Sequence, residues 1–363
     1  MITMKSILHS LSSFCLPGKV LTSPLDKPER MHLNLTSACN IHCIICRWGD
    51  KKSYPKGVFL SKDVIDKLIT ETFDSLRELR IDSAGENLLS SHFAHVLSEA
   101  TKRNVPIFIS TNGTILNERN AEVICNSSVK NMQISIDSPV KETLELLRSG
   151  AGYENVIKGA ETIVKARRKT DNNKKPHIDF HAALFKSNLE QVPDLLRLAK
   201  RTGIDGVTVA FGFIHEHMNP DWSIFWEKTR TKIVIAKSLL LSKILGIHFS
   251  APINFLKIFG KYKSNNYCNY LFESTYIEPS GKVSPCCIGR YDLGDLNHSS
   301  FSDIWSGKRY SELRRTYNTD TPVYNKCASC YITGYWDPDD YKTYFHPSHW
   351  KYVEKKSNKI HPG

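Results

Sequence analysis

Between Met31 and Phe211, short apolar runs alternate with longer stretches in which apolar residues recur every three or four positions. The short runs suit buried strands, and the longer period suits helices with one covered face. The pattern predicts strands near 31–36, 78–82, 105–110, 131–137, 177–185 and 205–211. Helices are predicted over 61–75, 88–103, 116–127, 153–169, 188–202 and 229–246, with Ser61 as N-cap of the first. Alternating strands and helices imply a parallel sheet with crossover connections, and six such units suggest a partial (β/α)6 TIM-like barrel. In that architecture the chemistry sits on loops that follow the C-terminal ends of strands.

Two polar patterns add detail. The fifth strand, HIDFHAAL, sets His177, Asp179 and His181 against Ile178 and Phe180, which fits either a wet barrel interior or a solvent-facing edge. Farther along, STYIEPSGKVSPCC reads as a β-hairpin turning at Pro279–Gly281. The chain is therefore expected to comprise a lead-in (1–30), a core (31–211), a partly helical connector (212–263), a small C-terminal α+β domain (264–335) and an aromatic-rich tail (336–363). The tail would cap the small domain or pack on the surface.

Composition narrows the class. With 363 residues, 40% hydrophobic and 24% charged, the chain is that of an ordinary folded protein and not a disordered one. The net charge of +12 comes without a nucleic-acid-binding motif, so a solvated basic surface is the preferred reading over a nucleic-acid footprint. The opening apolar run is broken by His9, Ser10, Ser12 and Ser13, a poor export signal. KIVIAKSLLLSKILGIHF carries Lys237 and Lys243, which a bilayer would penalise, so it reads as a buried or amphipathic helix and no membrane partner is expected. Ten cysteines, gathered in ligand-like clusters, then point to a reducing, cytoplasmic setting and not to a disulfide scaffold.

The first cluster is SACNIHCIIC, with Cys39, Cys43 and Cys46 at C-x3-C-x2-C spacing just after the first strand. Three thiolates on one loop can hold three irons of a cubane and leave the fourth open to a substrate or cofactor. Zinc normally takes four protein ligands, often in C-x2-C pairs, and fits less well. The second cluster is Cys268, Cys286, Cys327 and Cys330, four thiolates that by count suit either zinc or a fully ligated iron–sulfur cluster. Cys15, Cys125 and Cys287 are left over, and a buried small hydrophobe is the common fate of a free cysteine.

The first spacing resembles that of the radical SAM superfamily, and the resemblance runs over roughly residues 30 to 335. It implies that S-adenosylmethionine chelates the open iron of a [4Fe–4S] cluster and is cleaved reductively to a 5′-deoxyadenosyl radical. The family often has an aromatic residue before the third cysteine; here that position is Ile45, and either Ile45 or Trp48 would contact the adenine. Gly85–Glu86 matches the family's glycine–glutamate motif, with Ala84 and Asn87 replacing its first glycine and its proline. The resemblance places Glu86 at the ammonium of the cofactor, a charge-assisted contact. It also places Ser135, which shares a strand face with Asp137, near the cofactor, with Asn112 as a neighbour. The spacing C-x12-G-x4-C around Gly281, and the run LGDL…IWSG…LRR, resemble the auxiliary-cluster domain called SPASM or its shortened twitch form. That implies a second [4Fe–4S] cluster, and the spacing selects Cys286 over Cys287.

The expected activity is abstraction of hydrogen from a substrate C–H bond, with an electron donor such as flavodoxin or ferredoxin. The unassigned cysteines are poorly placed as hydrogen donors, so net oxidation is expected over epimerisation. Relatives act on peptides, proteins, sugars or aminocyclitols. Because 30 residues are too few for a leader-binding domain, a carbohydrate-like small molecule is the expected substrate and a peptide or protein the alternative. A non-catalytic metal-binding module touching RNA is the rival from another class, and it leaves the three-ligand cluster unexplained.

Overall fold

The computed structural model of the chain describes residues 23–49, 57–82, 85–171, 175–252, 268–287, 291–317, 319, 321–325, 327 and 340–360. Six parallel strands follow the predicted order: β1 (Arg30–Leu33), β2 (Glu78–Ile81), β3 (Ile107–Thr111), β4 (Val129–Ser135), β5 (His177–Leu184) and β6 (Gly206–Phe211). The connecting helices are α1 (Lys62–Thr72), α2 (Phe93–Lys102), α3 (Glu118–Cys125), α4 (Lys141–Leu147), α5 (Tyr153–Arg168) and α6 (Val192–Thr202), and α7 (Lys228–Leu245) follows β6. Ser61 caps α1 as expected, its side chain accepting from Val64 N. Two elements escaped the pattern. α4 is only seven residues long, and β7 (His248–Ser250) is a three-residue strand parallel to β6 inside the predicted connector.

The alternation in β5 now has a direction. Ile178, Phe180, Ala182 and Leu184 are fully buried on the face that the helices cover, while His177, Asp179 and His181 lie on the other face. Neighbouring strands keep that register: Asn131, Gln133 and Ser135 stand opposite His177, Asp179 and His181, and His181 stands opposite Thr208. The inner face of the partial barrel is therefore polar, and helix packing on the outer face is what holds it so. Each fully buried aliphatic there contributes about 1.5–3 kcal/mol.

The small C-terminal domain is built onto the same sheet. Its hairpin, β8 (Ser274–Ile277) and β9 (Lys282–Ser284), turns at Gly281, where φ is +87° and a side chain would be strained. β8 pairs in parallel with β1, Met31 opposite Thr275, and β10 (Gly294–Asp295) extends the hairpin. The result is one ten-stranded sheet that ends, among the described residues, at β10 and β7. Helices α8 (Tyr270–Glu273), α9 (Phe301–Trp305) and α10 (Lys308–Thr316) pack beside it. The end of the lead-in is tied to this domain, with Leu25 N donating to Phe272 O and Trp305 Nε1 to Leu25 O.

The described part of the tail, residues 340–360 with the last helix α11 (Trp350–Ile360), packs beside the end of β6. Phe345 bridges to Ile214 just beyond β6, and Tyr344 stacks on Phe211 with ring centroids 5.6 Å apart. Among the described residues no helix is long and apolar enough to cross a membrane.

Candidate active site

The cysteine loop leaves β1 at its C-terminal end and is fixed by backbone bonds to the turn that ends α4. His42 N donates to Ser149 O at 2.8 Å and Ile44 N to Leu147 O at 3.1 Å. The adjacent strand grips its other side, where Glu86 N donates to Ala38 O at 2.7 Å. Gly85 makes that approach possible: its φ is +67°, and a Cβ there would lie 2.4 Å from Ala38 O. The close backbone approach at this glycine is made to the chain's own cysteine loop.

Cys39, Cys43 and Cys46 are all free, half-buried and within electrostatic reach of one another. Burial pushes the Cys43 thiol up to about 12, against the pull of the Arg148 guanidinium, and burial likewise raises Cys46. Ligand cysteines must lose their protons when metal enters, so this loop is built to be completed by a cationic core. Three thiols on one clamped loop, with a buried guanidinium beside them to offset thiolate charge, fit an iron–sulfur cluster. Trp48 N donates toward Cys46 Sγ at 3.4 Å, whereas Ile45 packs against the hydrophobic core.

Arg148, at the end of α4, was not singled out by sequence reasoning. Burial opposes its charge, yet Asp137 and Cys43 hold its pKa above the ordinary guanidinium value. Its Nε donates to Asp137 Oδ2 at 2.5 Å, and Asp137 Oδ1 accepts from Ala183 N at 2.7 Å. β4 ends at Ser135, so Asp137 lies beyond the strand, and its carboxylate is spent on positioning Arg148. Nothing in LELLRSG marks this arginine, because the partner that makes it matter lies 11 residues back, just beyond the end of β4.

Glu86 is buried, and its carboxylate accepts from Asn112 N at 2.7 Å, Thr111 Oγ1 at 2.9 Å and Leu88 N at 3.3 Å. Burial raises its pKa above the usual carboxylate value despite those bonds. A carboxylate offers about four lone-pair sites, so one is left for a further donor. Asn112 Nδ2 reaches Asn40 Oδ1 at 2.9 Å and lies 3.8 Å from Cys39 Sγ, which joins it directly to the cluster loop. Ser135 ends β4 on the polar face opposite His181. Burial pushes the pKa of that imidazole down.

Of the second set, Cys268, Cys286 and Cys327 are half-buried, and Cys330 lies outside the described residues. The two adjacent cysteines diverge: the charge of Cys286 is felt at Tyr310, and that of Cys287 at Tyr270. Cys125 is fully buried on α3, where burial raises its thiol to about 11, as befits a packed hydrophobe; Cys15 lies outside the described residues.

Comparison with known proteins agrees with this geometry. Residues 33–199 match the family model described as "Radical SAM superfamily", and residues 268–331 match SPASM, an "Iron-sulfur cluster-binding domain". The tungsten-containing aldehyde ferredoxin oxidoreductase cofactor-modifying protein of Pyrococcus furiosus is 24% identical over 328 residues, 83% of this chain and 86% of that one. An AdoMet-dependent heme synthase of Methanosarcina barkeri is 24% identical over 84% of this chain and 89% of its own. Among solved structures, Streptococcus suis SuiB bound to precursor peptide SuiA superposes with a TM-score of 0.62 at 14% identity, covering 85% of this chain and 71% of that one.

Proposed function

Since the chain carries a radical SAM domain followed by a SPASM domain, we propose that it is an oxidative maturase acting on a peptide or protein. The chemistry supplied by S-adenosylmethionine on a three-cysteine cluster is the reductive production of a radical that removes hydrogen from a C–H bond. Cys39, Cys43 and Cys46 would hold that cluster. Arg148, held by Asp137, offsets the negative charge gathered at the loop. The open lone-pair position of Glu86 receives the ammonium of the cofactor, with Asn112 and Ser135 lining the approach. Cys268, Cys286, Cys327 and Cys330 would hold an electron-accepting cluster, which makes the outcome a net oxidation. An external donor of the ferredoxin or flavodoxin kind supplies the starting electron.

The observation that carries the reading is the clamped three-thiol loop at the C-terminal edge of a polar inner face. For the substrate, support comes from the precursor peptide bound by SuiB, whose fold this chain shares. The carbohydrate-like substrate expected from the sequence finds no support in these relatives. A second reading, modification or synthesis of a cofactor such as haem, is favoured by curated relatives that align over more than four-fifths of this chain.

Dithionite-reduced, reconstituted protein should convert S-adenosylmethionine to 5′-deoxyadenosine slowly without substrate. Glu86→Gln should bind the cofactor about ten- to a hundredfold more weakly, because a charge-assisted bond is worth about 1.5–3 kcal/mol. Absence of 5′-deoxyadenosine from protein with an intact cluster would refute the radical reading. Candidate peptides encoded beside the gene, and tetrapyrroles, should be compared as substrates by mass; loss of two hydrogens from a peptide supports the first reading, turnover of a tetrapyrrole alone the second. Product formed in deuterated water should carry no deuterium at the reacting carbon. Incorporation that vanishes in Cys287→Ala would assign the spare thiol as donor and replace oxidation by epimerisation.

A further inference from the structure

At the opposite end of β5 from the cysteine loop, three metal-ligating side chains meet that the radical reading does not use. His177 opens β5, Asp179 follows two residues on along the same face, and His248 opens β7. His177 Nε2 lies 2.8 Å from Asp179 Oδ1, and His248 Nδ1 lies 3.3 Å from Asp179 Oδ2. The ligand atoms of all three fall within 4.8 Å of one another. Tetrahedral zinc with ligands at about 2.0–2.2 Å sets its donor atoms about 3.3 Å apart, so small side-chain rotations bring these three into range.

The backbone is shaped for the meeting. Asp179 and His248 belong to strands that are not neighbours; both are in register with Gly206 of the intervening β6. A Cβ on Gly206 would lie 2.4 Å from His248 O and 2.6 Å from His248 Cβ, so glycine is what lets the two side chains converge over it. The rings of His177 and His248 are 5.5 Å apart and nearly perpendicular, converging instead of stacking. Supporting contacts are also present. Thr208 Oγ1 donates to Asp179 Oδ2 at 2.9 Å, and Asp205 Oδ2, anchored by Arg167 and by Ile178 N, lies 3.8 Å from the far nitrogen of His177. Outer carboxylates and hydroxyls of this kind orient imidazole and carboxylate ligands.

A hydrogen-bonded triad accounts for the His177–Asp179 contact at 2.8 Å, and the buried Nδ1 of His248 meets the same carboxylate at the longer distance of 3.3 Å. That separation is the one two donor atoms take about a tetrahedral ion.

We propose that His177, Asp179 and His248 bind one first-row divalent cation, zinc foremost, at a site distinct from both cysteine sets. Two imidazoles and a carboxylate are the donors such ions prefer over magnesium or calcium. The ion clamps β7 to β5 across Gly206 and leaves its remaining coordination position to water or a ligand on the polar inner face.

The test uses the full chain, anaerobically reconstituted with iron and sulfide, desalted, and titrated with Co2+ alone. About one equivalent should bind, with visible d–d absorption, no thiolate-to-cobalt charge-transfer band, and displacement by Zn2+. His248→Gln and Asp179→Asn should each weaken Co2+ binding more than about tenfold, since even outer partners of a ligand are worth about 10- to 100-fold. Iron content and 5′-deoxyadenosine formation should be unchanged in His248→Gln, which makes the test independent of the proposed function. Should a ligand variant fail to fold, Thr208→Val, which keeps the packing, must still weaken Co2+ binding. The proposal is overturned if no Co2+ binds, if a charge-transfer band shows it at the cysteines, or if neither His248→Gln nor Thr208→Val weakens binding relative to the native chain.

Discussion

Arg148 shows how much one side chain settles. Its guanidinium sits beside the cysteine loop only because Asp137, fully buried, holds it there and is in turn held by Ala183 N. Breaking a buried ion pair from one side strands the other charge and costs about 3–5 kcal/mol. Arg148→Met should therefore lower the thermal midpoint and reduce iron retained by the loop. Adding Asp137→Leu should restore much of the stability, because the stranded carboxylate is gone, but not the iron. Thermal unfolding and iron analysis of the pair of variants separate the structural part of the role from the electrostatic part. Gly85 is as demanding for a steric reason. Gly85→Ala should impair cluster assembly, read as iron per chain, because neither its φ of +67° nor the Ala38 carbonyl 2.4 Å from the new Cβ can be relaxed without moving the cysteine loop.

At the scale of elements, the C-terminal segment is a working part of the barrel rim. Tyr344 and Phe345 are buried against Phe211, Phe225 and Trp226, and His349 Nε2 meets His215 O at 2.9 Å. Removing a buried aromatic side chain costs about 3–5 kcal/mol, so Tyr344→Ala should visibly lower the thermal midpoint. The seam is also pH-sensitive. Burial, reinforced by His217, Arg47 and His346, pushes His215 down to about 4. Unfolded histidine titrates near about 6.5, so between those values the unfolded state binds more protons. The contribution of His215 is thus present in full above about pH 6.5 and is lost as pH falls through about 4. Protection from hydrogen exchange in residues 340–360, taken relative to the intrinsic rate at each pH, should fall over that range in the native chain, and much less so in His215→Gln. His217 extends the same rim to the cysteine loop, its Nε2 lying 3.0 Å from Ile44 O.

For the whole molecule the continuous sheet is the governing fact. β8 lies along β1, so the strand that leads into the first cysteine set is hydrogen-bonded to the hairpin that leads into the second. Reconstituted protein should hold about eight irons as two cubanes, from three plus four cysteines. Replacing Cys39, Cys43 and Cys46 together should leave about half, and zinc in place of iron at the Cys268 set would refute the second assignment. If the shared sheet couples the two, the triple variant should also change the spectrum of the remaining cluster.

Period and spacing determined much of this protein without help from tertiary contacts. Six strands, the Ser61 cap, the hairpin turn at Gly281 and the cysteine spacings are local, because each depends on residues a few positions apart and on the geometry of one element. α4 and β7 were missed for the same reason: seven and three residues are too few for a period to show. What only the folded chain decided is everything that depends on register between strands. Whether His177, Asp179 and His181 faced water or the barrel interior turned on which face the helices cover. The coming together of Arg148, Asp137 and Cys43, of Glu86 with Asn112, and of Asp179 with His248 over Gly206 turned on pairings of residues far apart in the chain. A sequence records which residues share an element, whereas these sites are made of residues that meet only at the ends of neighbouring strands or, for Asp179 and His248, on one row across the sheet.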